Sequence, residues 1–426
     1  MIGIPIQRTT QEGKMKKHVS LKLTLFSGLA ICIMLTAALS GLPTDAVAAS
    51  WDAGDWKISM GGNINAFYVY TMCDDGDLGA GGNTLTGLGC AGCVDEDGDT
   101  TDYGSVQNGL LPASLNFSAS TNQDGWDISA NVNVYYGIES RGTNRDEVGG
   151  ADALQFSTVD ARQVYMTFGK KELGSFKLGR DFGLFALDAI LNDMSLLGVG
   201  APFVVSNPGH TSLGGLGYGY VYTDRLAQMN YSTPNWSGFQ GTLGIFQGFD
   251  GNGARSADQP GFHAKAGYSW EGAVKGSVSA TYLTQGVYTD AGTDENIKGY
   301  DVFVKVSIAD IGLVGYYFGA EGMSSLAIGG LVFPGFDAGT GDPEEVDGYM
   351  LQATYTIGKA RLGINWSSSE QEEVVEVENE KLTLGVYYNL TPALTLLVEY
   401  SDQESELEGV GTDEAQNYTL GAILFF

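Results

Sequence analysis

From Trp56 to the last residue the chain alternates apolar and polar side chains, a period of two that extended strands sort onto opposite faces. Trp126, Ile128, Ala130, Val132, Val134 and Tyr136 alternate with Asp127, Ser129, Asn131, Asn133 and Tyr135. Ala360, Leu362, Ile364 and Trp366 alternate with Arg361, Gly363, Asn365 and Ser367, and Leu382, Leu384, Val386 and Tyr388 with Lys381, Thr383, Gly385 and Tyr387. A soluble sandwich or a solenoid would also alternate, but its apolar face would favour bulky aliphatics. Here many apolar-face residues near the strand ends are aromatic, as in the interfacial girdles of a barrel whose outer face meets lipid. A mean hydropathy of −0.04 fits strands with one face in lipid and the other in water.

The N-terminus has a different character. Lys14, Lys16, Lys17 and Lys22 form a basic region around Met15, an apolar stretch runs from Leu23 to Leu39, and Ala46-Val47-Ala48 offers a small-x-small cleavage site. The expectation is a leader over 1–48 that includes a signal peptide, with Met15 the better start, and a single barrel domain over 49–426. Beyond Ala49 no run approaches the ~18–20 apolar residues of a spanning helix. That leaves a soluble periplasmic or secreted protein, or a closed β-barrel.

The connections alternate in length. Short ones are Asn122 to Gly125, Lys170 to Gly174, Pro234 to Gly238, Glu271-Gly272, Asp310 to Gly312, Gly358-Lys359 and Thr391-Pro392. Long ones, mostly acidic and glycine-rich, are Cys73 to Asn108, Ser140 to Asp160, Leu184 to Tyr218, Gly248 to Gln259, Gln285 to Asn296, Gly322 to Glu345, Ser369 to Asn379 and Gln403 to Glu414. Short turns at one end and long loops at the other are the asymmetry of outer-membrane barrels. The segments amount to about sixteen strands, enough to enclose an aqueous channel. The formal net charge of −29 argues against nucleic acid as a partner, because phosphate would be repelled. It leaves room for divalent cations at acidic outer loops, with no resident cofactor expected. The last strand carries Tyr418, Leu420, Ala422, Leu424 and Phe426 at every second position. This resembles the C-terminal signature by which barrel-assembly machinery recognises its substrates.

Arg162-Gln163-Val164-Tyr165, then Gly174-Ser175-Phe176-Lys177-Leu178-Gly179-Arg180, resembles the fourth and fifth strands of the general trimeric porins of Gram-negative outer membranes. Asp188-Ala189 and Asp193-Met194 resemble the opening of that family's third long loop, which folds into the barrel and narrows it. The resemblance implies a transmembrane antiparallel up-and-down β-barrel in the outer membrane, a homotrimer in lipid and lipopolysaccharide, and passive diffusion of small hydrophilic solutes and ions. It implies a pore constriction at Asp193, Arg162 and Asp188, where carboxylates on the loop face arginines on the wall. The family's second acidic position is Leu197 here, a lysine near Gly62-Asn63 is missing, and an arginine of the second strand is replaced by Ser114. A weaker or differently tuned transverse field is the consequence.

Parity adds further expectations. Lys177, Lys265, Lys275, Lys305, Arg361 and Lys381 point into the lumen, either as an anion-guiding ladder or as scattered polar residues. Arg180 points outward, where mid-bilayer lipid would cost it about 2–4 kcal/mol. It is read either as a trimer contact, to Glu147 or a neighbouring carboxylate of the second long loop, or as a rim residue snorkelling to water. Arg225 shares the outward parity of Ala227 and Met229. Cys73, Cys90 and Cys93 share the first long loop, and a disulfide can join Cys73 to Cys90 or Cys93, or Cys90 to Cys93. Asp95 to Asp99 lacks a full calcium-loop pattern. His210 and His263, the only histidines after the leader, have no local Ser or Asp partner that suggests a triad, so an enzyme is not expected. The competing functions are a substrate-selective channel and a plugged structural or adhesive barrel.

Overall fold

A computed structural model describes residues 49–73, 90, 101–138, 159–202, 211–222, 224–251, 253–325, 335–372, 376–409 and 411–426. The leader, His210, Glu147, Cys93 and the Asp95 to Asp99 run lie outside the described residues.

Sixteen strands form the closed barrel. They are β2 (Trp56–Cys73), β4 (Ala113–Gln123), β5 (Trp126–Tyr136), β6 (Val159–Lys170), β7 (Gly174–Phe182), β8 (Arg225–Ser232), β9 (Phe239–Phe246) and β11 (Gly261–Trp270). They continue as β12 (Val274–Thr289), β13 (Asp294–Ile308), β14 (Ile311–Glu321), β15 (Glu345–Ile357), β16 (Ala360–Glu372), β17 (Val377–Asn389), β18 (Leu394–Leu407) and β19 (Gly411–Phe425). Each pairs antiparallel with its neighbours, and β19 returns to β2 from Ala415↔Cys73 to Phe425↔Asn63. Gly62 and Phe426 then exchange backbone hydrogen bonds of 2.8 and 3.0 Å at the seam. Three short strands stand outside this count. β1 (Ala49–Ala53) pairs with the start of β2, β3 (Tyr103–Gln107) with its end, and β10 (Ala254–Ser256) with β12.

The two faces are inverted relative to a soluble protein. On β17–β19 Leu384, Val386, Val398 and Leu420 are exposed, whereas Thr383, Ser401 and Asn417 are buried. Exposed aliphatics on every second residue of a closed sheet can be stabilised only by lipid. Tight turns link the strands at one end. At Asp124-Gly125 both residues have positive φ, 52° and 76°, the geometry that a two-residue hairpin requires.

Three expected long loops are instead mostly ladder. β12 runs on to Thr289 and β13 starts at Asp294; β16 and β17 are separated only by 373–376, and β18 and β19 only by 408–410. These extensions rise past the lipid-facing band, so neither face needs apolar residues and the period of two disappears from the sequence. On their outer side Asp347, Glu370, Glu378 and Glu406 are successive cross-strand partners.

Candidate functional site

The segment between β7 and β8 lies against the inner face of the barrel. It contains helix α1 (Leu187–Asn192) and the 3-10 turn η1 (Met194–Leu197). Wall side chains hold its backbone in sequence: Asp301 on β13 accepts from Ala186 N at 2.7 Å, and Gln352 on β15 accepts from Met194 N at 2.7 Å and donates to Asn192 O at 2.9 Å. Arg361 on β16 donates to Met194 O at 3.2 Å, and Ser369 donates to Gly217 O at 2.6 Å. Glu399 on β18 accepts from Val199 N at 2.8 Å and Gly200 N at 3.0 Å, and from the Tyr387 hydroxyl at 2.5 Å. A Cβ on Gly198 would stand 2.2 Å from a Glu399 oxygen, so this approach requires glycine.

The segment brings its own apolar surface. Phe185, Ile190, Leu213, Leu216, Tyr220 and Val221 join Phe303, Phe318, Met350 and other wall residues of β12–β15, with Leu226 on β8 and Phe246 on β9, in one buried cluster. Val199 and Leu197 pack with Phe67, Tyr387 and Leu397 in a second. Each large side chain buried this way contributes roughly 1.5–3 kcal/mol. One side of the lumen is therefore filled by a packed core.

The opposite wall stays polar. On β4–β6 the inward Asn116, Ser118, Ser129, Asn131, Asn133 and Thr167 keep exposed or half-exposed surface. A cavity of about 340 Å³ continues this face, lined by Lys177, Asp188, Asn230, Gln240, Thr242 and Lys265 among others. The Asp188 carboxylate on α1 meets Lys265 Nζ at 2.5 Å and accepts from Ser279 Oγ at 2.5 Å. Lys177 pairs with Asp181, which also accepts from Gln163 at 2.8 Å. His263 is buried, with Nε2 at 2.8 Å from Asn230 Oδ1 and its ring against Phe246.

The other expected site residues differ in their surroundings. Arg162 does face inward, but through a bulge: Asn133 pairs with Gln163 and Val134 with Ala161, so Arg162 is the extra residue. It is 3% exposed, bonds Asp160 at 2.6 Å and lies 5.0 Å from the centre of the Tyr135 ring. Arg225 lies within its Coulombic reach and over Phe182 and Tyr222. Asp193 does not line an open passage. It is 3% exposed; one oxygen accepts from Ser195 N and Oγ, the other from Tyr220 OH at 2.8 Å. Burial first, and Asp193 second, push the Tyr220 phenol well above its usual pKa, so it remains a neutral donor. Lys381 is likewise sealed, 1% exposed with Nζ on Thr383 at 3.1 Å, and lines no open water. Lys305 reaches Asn192 Oδ1 at 2.8 Å, and Arg180 is exposed on the outer face opposite Val164 and Ala227.

Where the resemblance lacks its basic wall residues, a neutral network stands. Asn63 donates to Ser114 Oγ and Pro112 O, both at 3.0 Å, and Asn65 donates to Asn63 at 2.8 Å. Cys73 and Cys90 form a disulfide. Two contributors were missed in the sequence, Glu399 and Asp301. Their only signal was a carboxylate at an inward position of a strand otherwise lined by neutral groups.

The chain matches the Gram-negative porin family over residues 35–406. No curated protein sequence matches it. Among solved structures it is similar to the outer membrane channel DcaP of Acinetobacter baumannii, at TM-score 0.61 and 16% identity over 89% of this chain and 100% of that one. It is similar to the anion-selective porin from Comamonas acidovorans, at 0.57 and 14% over 87% and 100%. The trimer form of OmpT from Vibrio cholerae follows at 0.51 and 13% over 88% and 100%. An even-stranded closed barrel, a lipid-facing exterior and a polar inner wall agree with that match: the chain belongs to the Gram-negative porin family, and it is an outer-membrane channel for passive diffusion.

Proposed function

We propose that solutes pass through an eccentric passage, bounded on one side by α1 and on the other by the inner faces of β4–β11. The observation that carries this is the division of the lumen: apolar packing against β12–β15, accessible hydroxyl and amide groups opposite. Arg162 and Asp188 shape the electrostatics of the constriction, together with the Lys177 and Lys265 pairs. Asp193 acts one step back, by fixing the turn of the loop. Such a lumen suits small hydrophilic solutes of either charge and needs no cofactor and no catalytic group. Liposome swelling with neutral sugars of increasing size tests it. Permeation with a sharp size limit supports the passage; impermeability to all of them, in a folded barrel, refutes it.

The assembly follows from the same reading. Arg180 makes no ion pair among the described residues; its cross-strand partners Val164 and Ala227 face lipid, and the buried Asp224 lies within its Coulombic reach. In a homotrimer a carboxylate of a neighbour's second long loop, with Glu147 the candidate, would remove the cost of that charge in lipid. The trimer form of the Vibrio cholerae protein supports this. Lipopolysaccharide, bridged by divalent cations at the outer carboxylates, and the barrel-assembly machinery are the further partners of the reading. Cross-linking of an R180C/E147C pair into trimers tests the contact, and exclusively intrachain products would refute it.

A further inference from the structure

Lys275, Lys305 and Arg361, like the sealed Lys381, take no part in the ion pairs of the described residues. Lys275 is the second residue of β12, Arg361 the second of β16, and Lys305 lies three residues before the end of β13. All three therefore sit toward the short-turn end, which faces the periplasm in this class of barrel. Lys275 is opposite Ser307 and Lys305 opposite Ser277, so the two lysines are diagonal neighbours on the inner face, about 7–8 Å apart at their bases.

The loop fixes the third member. Lys305 donates to Asn192 Oδ1 and Arg361 to Met194 O, while Gln352 between them holds Asn192 O and Met194 N. The two cations thus bracket a three-residue stretch of loop backbone. Lys305 lies within Coulombic reach of both Arg361 and Lys275. The acidic groups nearest Arg361 are Glu399 and Asp193, and both are already committed to donors of the loop and to tyrosine hydroxyls. Arg361 Nε is buried without a partner, and Lys275 is exposed on the inner face. Glu399 and Asp193 offset part of the Arg361 charge, but Lys275 and Lys305 have no carboxylate partner among the described residues. Like charges so held repel one another, and a mobile anion relieves that repulsion.

We infer that Lys275, Lys305 and Arg361 form a binding site, beneath the loop, for small solute oxyanions carrying two or more negative charges. The inference rests on the diffusion-passage reading, because solute must reach the site through the lumen. It adds a sided dwell point to that passage: doubly charged oxyanions pause on the periplasmic side, whereas neutral solutes and singly charged anions do not.

Equilibrium dialysis of labelled inorganic phosphate against the folded full barrel in detergent tests this, with the heat-dependent gel shift as the check on folding. Saturable binding at one site per chain is expected, displaced far less well by acetate. K275Q and K305Q should each weaken it about tenfold. K298Q removes the same charge from an outward-facing lysine paired with Glu321 at 2.5 Å, and should leave binding unchanged. No saturable phosphate binding, or binding unaffected by K275Q, or equal loss in K298Q, would overturn the inference. Dialysis reads binding without current. A barrel that passes sugars but binds no phosphate therefore refutes this site alone, and one that binds phosphate but passes no sugar refutes the passage alone.

Discussion

Glu399 is the group on which the position of the inner loop most depends. It is 2% exposed, and its carboxyl accepts from two consecutive loop amides and from the Tyr387 hydroxyl. Glu399→Ala strands three donors in a site closed to water, at about 1–3 kcal/mol for each buried donor left unpartnered. The van der Waals contact around Gly198 is lost as well. The sum, roughly 3–9 kcal/mol, matches or exceeds the about 3–6 kcal/mol that Val199 and Leu197 together contribute by packing in the smaller apolar cluster, so the tip of the loop should leave the wall. Barrel hydrogen bonding is untouched, and the folded, heat-modifiable band should persist. Single-channel recording should then show larger and noisier openings than wild type. Glu399→Gln keeps one acceptor oxygen and a polar group beside Tyr387, and should lie between the two. Quiet openings of wild-type size in Glu399→Ala would refute the assignment of Glu399 as the anchor.

Three further outcomes are expected. Arg162→Gln leaves Asp160 without its partner in the lumen, and should raise cation over anion permeability about twofold to fivefold, as read from the reversal potential in a salt gradient. Lys265→Gln frees Asp188, which keeps Ser279 as a donor, so selectivity should move the same way while the unfolding free energy changes by less than about 1 kcal/mol, because the pair is partly exposed. Cys73→Ser opens a link closed across a sequence separation of 17, worth about 3 kcal/mol of constraint. External protease should then cut the first loop faster while the barrel band survives.

Much of the barrel was legible because lipid imposes a strict rule on one face. Leu362, Ile364 and Trp366 had to alternate with polar neighbours, and they do. The rule lapses above the membrane, which is why the β16–β17 and β18–β19 hairpins, rich in Glu and Ser on both sides, read as loops. It also misleads wherever a bulge shifts parity. Counting alternate residues back from Val164 sends Arg162 outward, and only the mismatch at Asn133 and Val134 turns it in. The loop was legible by resemblance, yet its role as a packed core was not. Leu213, Leu216, Tyr218 and Val221 lie in a glycine-rich stretch without period, and their partners are single inward residues spread over four wall strands. Asp193 sits at an acidic position of the family, but a carboxylate that caps its own turn and a carboxylate that faces a pore look the same in sequence. Arg225, outward by simple parity, lies within Coulombic reach of Arg162, and Asp224 just before its strand has positive φ, 51°.

The passage itself is tested most directly by single-channel conductance of the refolded mature chain in a planar bilayer across a potassium chloride gradient. The account predicts stable, ohmic openings that close under high voltage in three equal steps, one for each barrel of a trimer. A folded, heat-modifiable barrel that never conducts would contradict it, and would mean that the loop and its apolar core fill the lumen completely.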